Sequence, residues 1–370
     1  MKRSSIAALV STTAVLAGLA SAWSSGTLSA AALAERLHLT ARIYSANLQT
    51  GQVIQRSQGD TVVTVRGVVG LRATRVEAAR AHVEEGALPS ERWQLLDAKP
   101  RWGSFQGTIS LSPGWNNLYM RSWADGHRQW RPVLVGVGEV FLVAGQSNAA
   151  GSANTLFLAD HNVRTGSLTP DGQISWGPGD DPQMAGTGGS VWPEVGRRLS
   201  AQLGVPVAFV NVAVGSTSIK DWNPDGPLAR RLLAALDALQ PQAVRAILWH
   251  QGESDGGTAT EDYLRGLSAL IGSTAAHTGA RPVRWMVSTV SFDGERSHPQ
   301  LRAAQQQVCS SGLADPGPDT DSIGPEGRDD TRVHFNQAGT RRAAELWYQH
   351  LAATYFGSPP STAALATPYR

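Results

Sequence analysis

Ser147 stands in the run GQSN, residues 145–148, directly after the apolar stretch 140–144 and among the small residues Gly145, Ala149, Ala150 and Gly151. A serine hydroxyl is a weak nucleophile until a base takes its proton, and histidine is the usual base because its pKa lies near neutrality. His334, in DDTRVHFNQAG at 329–339, is the candidate base. When such a hydroxyl attacks a carbonyl, the oxygen becomes an oxyanion that needs donors already aimed at it, and losing one donor costs about 3 kcal/mol. Three donors offer themselves: the backbone amides of Ser147 and of Gly215, in NVAVGSTS at 211–218, and the side-chain amide of Gln251, in HQGESD at 250–255. The small neighbours of Ser147 let an acyl group reach hydroxyl and amide together. Taken singly, each residue has a plainer reading: Ser147 as a helix N-cap, Gly215 as a turn glycine, His334 as a core histidine. Together, at three strand ends and one late loop, they point to one site for acyl transfer.

Such a site needs a sheet whose strands end side by side. From Val137 onward, apolar strands at 140–144, 207–214, 246–249 and 283–290 alternate with helical patterns at 228–239, 261–275, 300–310 and 340–355. That alternation predicts an α/β domain over 137–357, with a doubly wound parallel sheet covered on both faces and ligands bound beyond the carboxyl ends of its strands. The Gly-, Asp- and Pro-rich stretch 155–189 is too long for a mere connector. With Trp176, and with Trp222 in the loop 221–227, it is expected to wall the ligand side of the cleft. Before Val137 the text changes to short alternating runs, QVIQR, TVVTVRGVV, GTISLS and NLYMRSW, separated by Gly51, Gly59, Gly107 and the pair Pro113 and Gly114. These predict a small all-β, sandwich-like accessory domain over 41–136, with a polar or helical interruption around 78–86. Trp93, Trp102, Trp115, Trp123 and Trp130 crowd this region; filling a small β core is the favoured reading, and stacking on sugar faces the alternative.

The ends and the composition bound the setting. Lys2 and Arg3, an apolar run over 6–20, and Ala20 and Ala22 at cleavage-site spacing predict a secretory signal peptide at 1–22, and hence a periplasmic or secreted protein. No later segment is long and apolar enough to span a membrane. Cys309, the only cysteine, rules out a disulfide within the chain. A net charge of +2 with 17% charged residues leaves no basic stripe, so nucleic-acid binding is not expected. His250, Glu253, Asp255 and His298 lack a metal-ligand spacing and no Gly-rich phosphate loop occurs, so neither metal nor other cofactor is expected. The tail 358–370 reads as disordered by composition, and the oligomeric state is left open.

GQSN, a glycine at the end of the next strand, HQGESD and a late histidine before a helix resemble, in this order, the SGNH hydrolase superfamily. Within it, the closer likeness is to the branch of sialate O-acetylesterases and the acetyl-xylan esterases of carbohydrate esterase family 6. The resemblance implies a flavodoxin-like sheet, Ser147 as nucleophile, His334 as base, and Ser147, Gly215 and Gln251 as the oxyanion hole, with the glutamine replacing the superfamily's third-block asparagine. One position departs from the pattern: the aspartate expected three residues before the histidine is Thr331. Asp330 is then the first choice for the carboxylate that orients His334, with Asp329 one residue further away. Glu253 is the rival, and a Ser–His dyad leaning on a backbone carbonyl the third option. Gln146, Asn148, Trp176, Trp222 and Glu253 are taken as substrate-binding. The reading that follows is an exported serine esterase that removes O-acetyl groups from carbohydrate through an acyl-enzyme. The alternatives are a polysaccharide O-acetyltransferase of the same fold and a carbohydrate-binding protein with a decayed site.

Overall fold

The computed structural model describes residues 40–82, 92–124, 126–183, 185–239, 244–279 and 282–357. The expected signal peptide, the tail 358–370, residues 83–86 of the expected interruption and the side chain of Trp130 lie outside the described residues. In chain order the strands are β1 (Ile43–Ala46), β2 (Gln52–Gln55), β3 (Thr61–Val69), β4 (Arg75–His82), β5 (Gln94–Asp97), β6 (Ser104–Leu111), β7 (Gly114–Ala124), β8 (His127–Gly145), β9 (Val163–Leu168), β10 (Ile174–Pro178), β11 (Val207–Asn211), β12 (Ala246–His250), β13 (Trp285–Thr289) and β14 (Asp315–Asp319). The helices are α1 (Ser147–Ala150), α2 (Trp192–Leu203), α3 (Pro227–Ala238), α4 (Thr260–Thr278), α5 (Pro299–Ser310) and α6 (Gln337–Leu351). None of them is long and apolar enough to cross a membrane.

By internal contacts the chain forms two compact units. The first takes the described residues up to Leu48, then Val62–Ser110 and Asn117–Val133; the second takes Gln49–Thr61, Leu111–Asn116 and everything from Leu134. In the first unit β3 lies between β1 and β6, and β4 pairs with β5 and β7. The expected interruption at 78–86 begins as strand: Val76, Ala78, Ala79 and Ala81 are buried in β4, so alanines that read as helix formers are the small side chains of a packed strand. Trp102 is 95% exposed, and Trp93 and Trp123 are half-buried, with the Arg121 guanidinium 3.9 Å from the ring centre of Trp93 and 5.0 Å from that of Trp123. Trp115, which is buried, belongs to the second unit.

The second unit is mixed α/β, built on a sheet in the order β10-β9-β11-β8-β12-β13-β14. All neighbours from β9 to β14 run parallel, and β10 returns antiparallel to β9 at the edge. Alternate residues of β8 serve opposite faces. Val140, Leu142 and Ala144 pack with the apolar sides of α3, α4 and α5 in one buried cluster, while Phe141 and Val143 pack with α2 and α6 in another. The stretch 155–189, expected to be a long loop, instead carries β9 and β10, and so contributes to the sheet. Along the first half of β8, β2 adds a further parallel strand, with Gln52 opposite Val135 and Gln55 opposite Gly138. There Glu139, fully buried, is held by Arg56 at 2.6 Å, Arg245 at 2.7 Å and the Gln55 amide at 2.9 Å.

Candidate active site

Three strand ends meet at one level. Val143 stands opposite Asn211 and Gly145 opposite His250, so β8, β11 and β12 deliver their following loops side by side. Gly145 has φ of +129°, and a Cβ there would come 2.1 Å from the His250 carbonyl oxygen, so only glycine lets the chain leave β8 at this angle. The turn drops Ser147 into the first position of the single-turn helix α1, with 6% of its surface exposed. His334 approaches from the loop before α6, whose start is fixed by Asn336 accepting from the Gly339 amide at 3.0 Å. Its Nε2 lies 3.0 Å from Ser147 Oγ. The structure therefore brings together the nucleophile and base expected from the sequence.

The expected acid is not beside them. Asp330 is exposed and makes no hydrogen bond or ion pair among the described residues. The reason is local: Asp329 Oδ1 accepts from the Thr331 amide at 2.9 Å and from the Thr331 hydroxyl, and Thr331 Oγ1 in turn accepts from the His334 amide at 3.0 Å. This turn uses Asp329 to shape the backbone under His334 and leaves Asp330 outside it. Asp329 is also the carboxylate whose charge acts on the imidazole. Nδ1 of His334 has no hydrogen-bond partner among the described residues, carboxylate or carbonyl.

The three donors expected to face an oxyanion are not alike in their surroundings. Gly215 sits against Ser147, since a Cβ on it would lie 3.7 Å from Ser147 Cβ, and the next residue, Ser216, holds a left-handed φ of 59°. The amides of Ser147 and Gly215 have no acceptor among the described residues. Gln251 is another matter: it is fully buried, its Nε2 facing Gln146 Oε1 at 3.2 Å, the Thr217 carbonyl at 3.1 Å and Asp255 Oδ2 at 2.5 Å. An amide whose two hydrogens already face three acceptors has none left for a ligand. What it braces is Gln146, whose Oε1 also accepts from the amides of Gly252 at 3.3 Å and Ser254 at 3.2 Å. Two of these partners are backbone N–H groups, which settles which end of the Gln146 amide is oxygen and turns its Nε2 away from them. No signal within one motif reveals this, because the pairing joins GQSN to HQGESD.

A family model for carbohydrate esterases, described as sialic acid-specific acetylesterase, matches residues 137–352. The chain belongs to this family. The protein is thus a carboxylic ester hydrolase acting on carbohydrate acetyl groups. Among solved structures, a carbohydrate acetylesterase from Xanthomonas citri is similar at 20% identity, covering 86% of this chain and 76% of its own, with a TM-score of 0.56. A protein from Arabidopsis thaliana is similar at 18% identity, covering 59% of this chain and 98% of its own, with a TM-score of 0.48. No curated protein sequence matches.

The remaining residues expected to bind substrate serve the esterase differently. Asn148 and Glu253 are 3% and 6% exposed and bonded to each other, Asn148 Nδ2 donating to Glu253 Oε1 at 2.9 Å and to the Val333 carbonyl at 3.3 Å. Arg328, which the sequence did not single out, donates to the same carbonyl at 2.7 Å. Both thus hold the residue next to His334. Glu253 Oε2 has no hydrogen-bond partner among the described residues, and burial pushes this carboxyl up to about 7 against the Asn148 hydrogen bond. Trp222 is fully buried, its Nε1 donating to Thr217 Oγ1 at 3.0 Å and its ring edge-on to Trp249, so it has no face for a sugar. Trp176 lies on the edge strand β10 and packs partly buried against the cluster under the sheet. Full burial keeps Trp222 from walling a cleft. His334 itself is pushed below the ordinary histidine range by burial, against the charge of Asp329, which keeps the imidazole neutral and able to accept a proton.

Proposed function

We propose that the esterase is an exported SGNH-type serine hydrolase that deacetylates carbohydrate, sialate most closely, through an acyl-enzyme. The Ser147 Oγ to His334 Nε2 distance of 3.0 Å carries this reading. Ser147 Oγ attacks the acetyl carbonyl carbon while its proton passes to His334 Nε2. The oxyanion takes hydrogen bonds from the amides of Ser147 and Gly215, and from Gln146 Nε2 in place of Gln251. As the intermediate collapses, the bond to the sugar oxygen breaks and that oxygen takes the proton from His334. Water then gives a proton to His334 and its oxygen to the acyl carbon; acetate leaves, and Ser147 regains its hydrogen.

In this reading the sheet of the second unit is a doubly wound, flavodoxin-like core over 137–357, and the accessory domain expected over 41–136 is sandwich-like apart from 49–61 and 111–116, which belong to the second unit. Export rests on the basic start, apolar run and small-residue pair of residues 1–22. The test is acetate release from O-acetylated sialic acid and acetylated xylan oligomers side by side. Wild type should release acetate, fastest from the sialic acid, while Ser147→Ala with an unchanged circular-dichroism spectrum should fall by roughly 10⁴. A folded Ser147→Ala variant with wild-type turnover would place the nucleophile elsewhere.

A further inference from the structure

The first unit carries a feature that the esterase reaction leaves unused. Trp102 and Gly103 form the tip of a two-residue hairpin, closed by Arg101 N to Ser104 O at 3.1 Å and Ser104 N to Arg101 O at 2.9 Å. Both tip residues are left-handed, with φ of 55° and 74°. Such a turn favours Asn followed by Gly, because its first position also needs a positive φ that a bulky side chain adopts only under strain. The tip cannot relax by moving, since Gly103 O is tied to the Val69 amide at 2.8 Å. Here the chain holds a tryptophan in a strained conformation and keeps 95% of it in solvent. Neither the turn nor the core gains from that residue.

Beside the tip lies an open depression of about 540 Å³, within the size range of small-ligand sites. Phe105 lines it, together with Arg66, Lys99 and Arg101, all three exposed. None of the three cationic side chains has an ion-pair partner among the described residues. The one acid in the wall, Asp97, is occupied, its Oδ1 accepting from the Lys99 amide at 2.9 Å and its Oδ2 from the Gln106 amide at 3.2 Å. An exposed indole face suits the C–H face of a pyranose ring, and unpaired guanidinium and ammonium groups suit carboxylates.

The geometry points to a second carbohydrate site on the first unit, distinct from Ser147, in which Trp102 stacks on a sugar ring and Arg66, Lys99 and Arg101 hold an acidic sugar of the same chain. The choice of carbohydrate over another polyanion rests on the family's action on carbohydrate, and on cations gathered around a bounded depression instead of along a stripe.

Binding of sialyllactose, lactose and a single-stranded oligonucleotide to the full-length chain tests this. Sialyllactose should bind most tightly. Trp102→Asn supplies the residue that the turn prefers; it should keep or raise the melting temperature, leave hydrolysis of para-nitrophenyl acetate unchanged, and weaken sialyllactose at least tenfold. Lys99→Ser combined with Arg101→Ser should erase the preference for sialyllactose over lactose. Wild-type affinity in Trp102→Asn, an unchanged preference in the double variant, or binding of the oligonucleotide alone would each overturn the proposal. Failure of wild type to hydrolyse the small ester would instead count against the Ser147 chemistry and leave this site standing.

Discussion

At the residue scale, the question is which groups assist the pair formed by Ser147 and His334. Asp329 acts on the imidazole through its charge and shapes the turn beneath it, without a bond to the ring. Asp329→Asn should therefore cost about a hundredfold, the size of loss that follows a small misplacement, and less than a bonded triad acid would cost. The proposed mechanism needs neutral His334, and burial lowers its pKa, so the acid limb of kcat/KM should lie below the ordinary histidine value. Removing the Asp329 charge, which raises that pKa, should move the limb to still lower pH. Asp330→Asn should change neither rate nor limb by more than about twofold, as for a surface site with no partner. A crippled Asp330→Asn would show that the loop rearranges around substrate. Gln146→Glu is the matching test of the oxyanion hole, for it keeps the oxygen that accepts from Gly252 and Ser254 but removes the outward N–H. kcat should drop roughly 10²–10³ with little change in KM; an equal drop in Gln251→Glu with Gln146→Glu intact would restore Gln251 to the role.

At the scale of elements, Glu253 and Asn148 connect three of them: the loop after β12, helix α1 and the loop that carries His334. Glu253 titrates near 7 when folded against about 4.3 when unfolded. An acid whose folded pKa is raised stabilises the fold fully below its unfolded pKa and loses that contribution as pH rises through the folded one. The loss is on the order of 3 kcal/mol. Glu253→Gln should thus match wild type near about pH 4 and be more stable near about pH 9 by that order, read from urea midpoints. Equal stability at both pH values would mean that the carboxyl is not held neutral.

Much at this scale was legible in the sequence. Strands β8, β11, β12 and β13 announce themselves because burial on both faces demands continuous apolar runs, and GQSN and HQGESD follow them directly. β9, as VRTGSL, and β14, as DPGPD, lack that run, and β14 is an edge strand that tolerates proline. Gln251, Asn148 and Glu253 have partners that the sequence does not announce, for a related reason. Each is polar and stands in a motif near the nucleophile, but what decides its function is a partner about a hundred residues away in the chain. Asp330 was chosen by counting back from His334, whereas the turn is set by hydrogen bonds that select Asp329.

For the whole molecule, the boundary read at Val137 and the units formed by contact lead to different expectations. A fragment of residues 137–370 would keep every side chain of the proposed mechanism, yet lack β2, Gln55, Arg56 and Trp115, which belong to the second unit. Glu139 would then remain buried with Arg245 as its one cation. Breaking such a buried cluster costs about 3–5 kcal/mol, a large share of the roughly 5–15 kcal/mol that holds a domain together. The fragment should show no cooperative thermal transition and release no acetate. A well-folded, active fragment would mean that 49–61 and 111–116 are dispensable.

The same cluster sets an order of events during synthesis. Arg56 and Gln55 leave the ribosome early, Glu139 some eighty residues later and Arg245 about a hundred after that, so the buried carboxylate gains its second cation only when two-thirds of the chain exists. Until then β2 has a partner strand but no finished sheet to join, and closing so long a loop is slow. Maturation of the second unit is in this way timed by an ion pair whose members stand 106 residues apart in the chain, and a nascent chain stalled before Arg245 would still be open to proteases along β2 and β8.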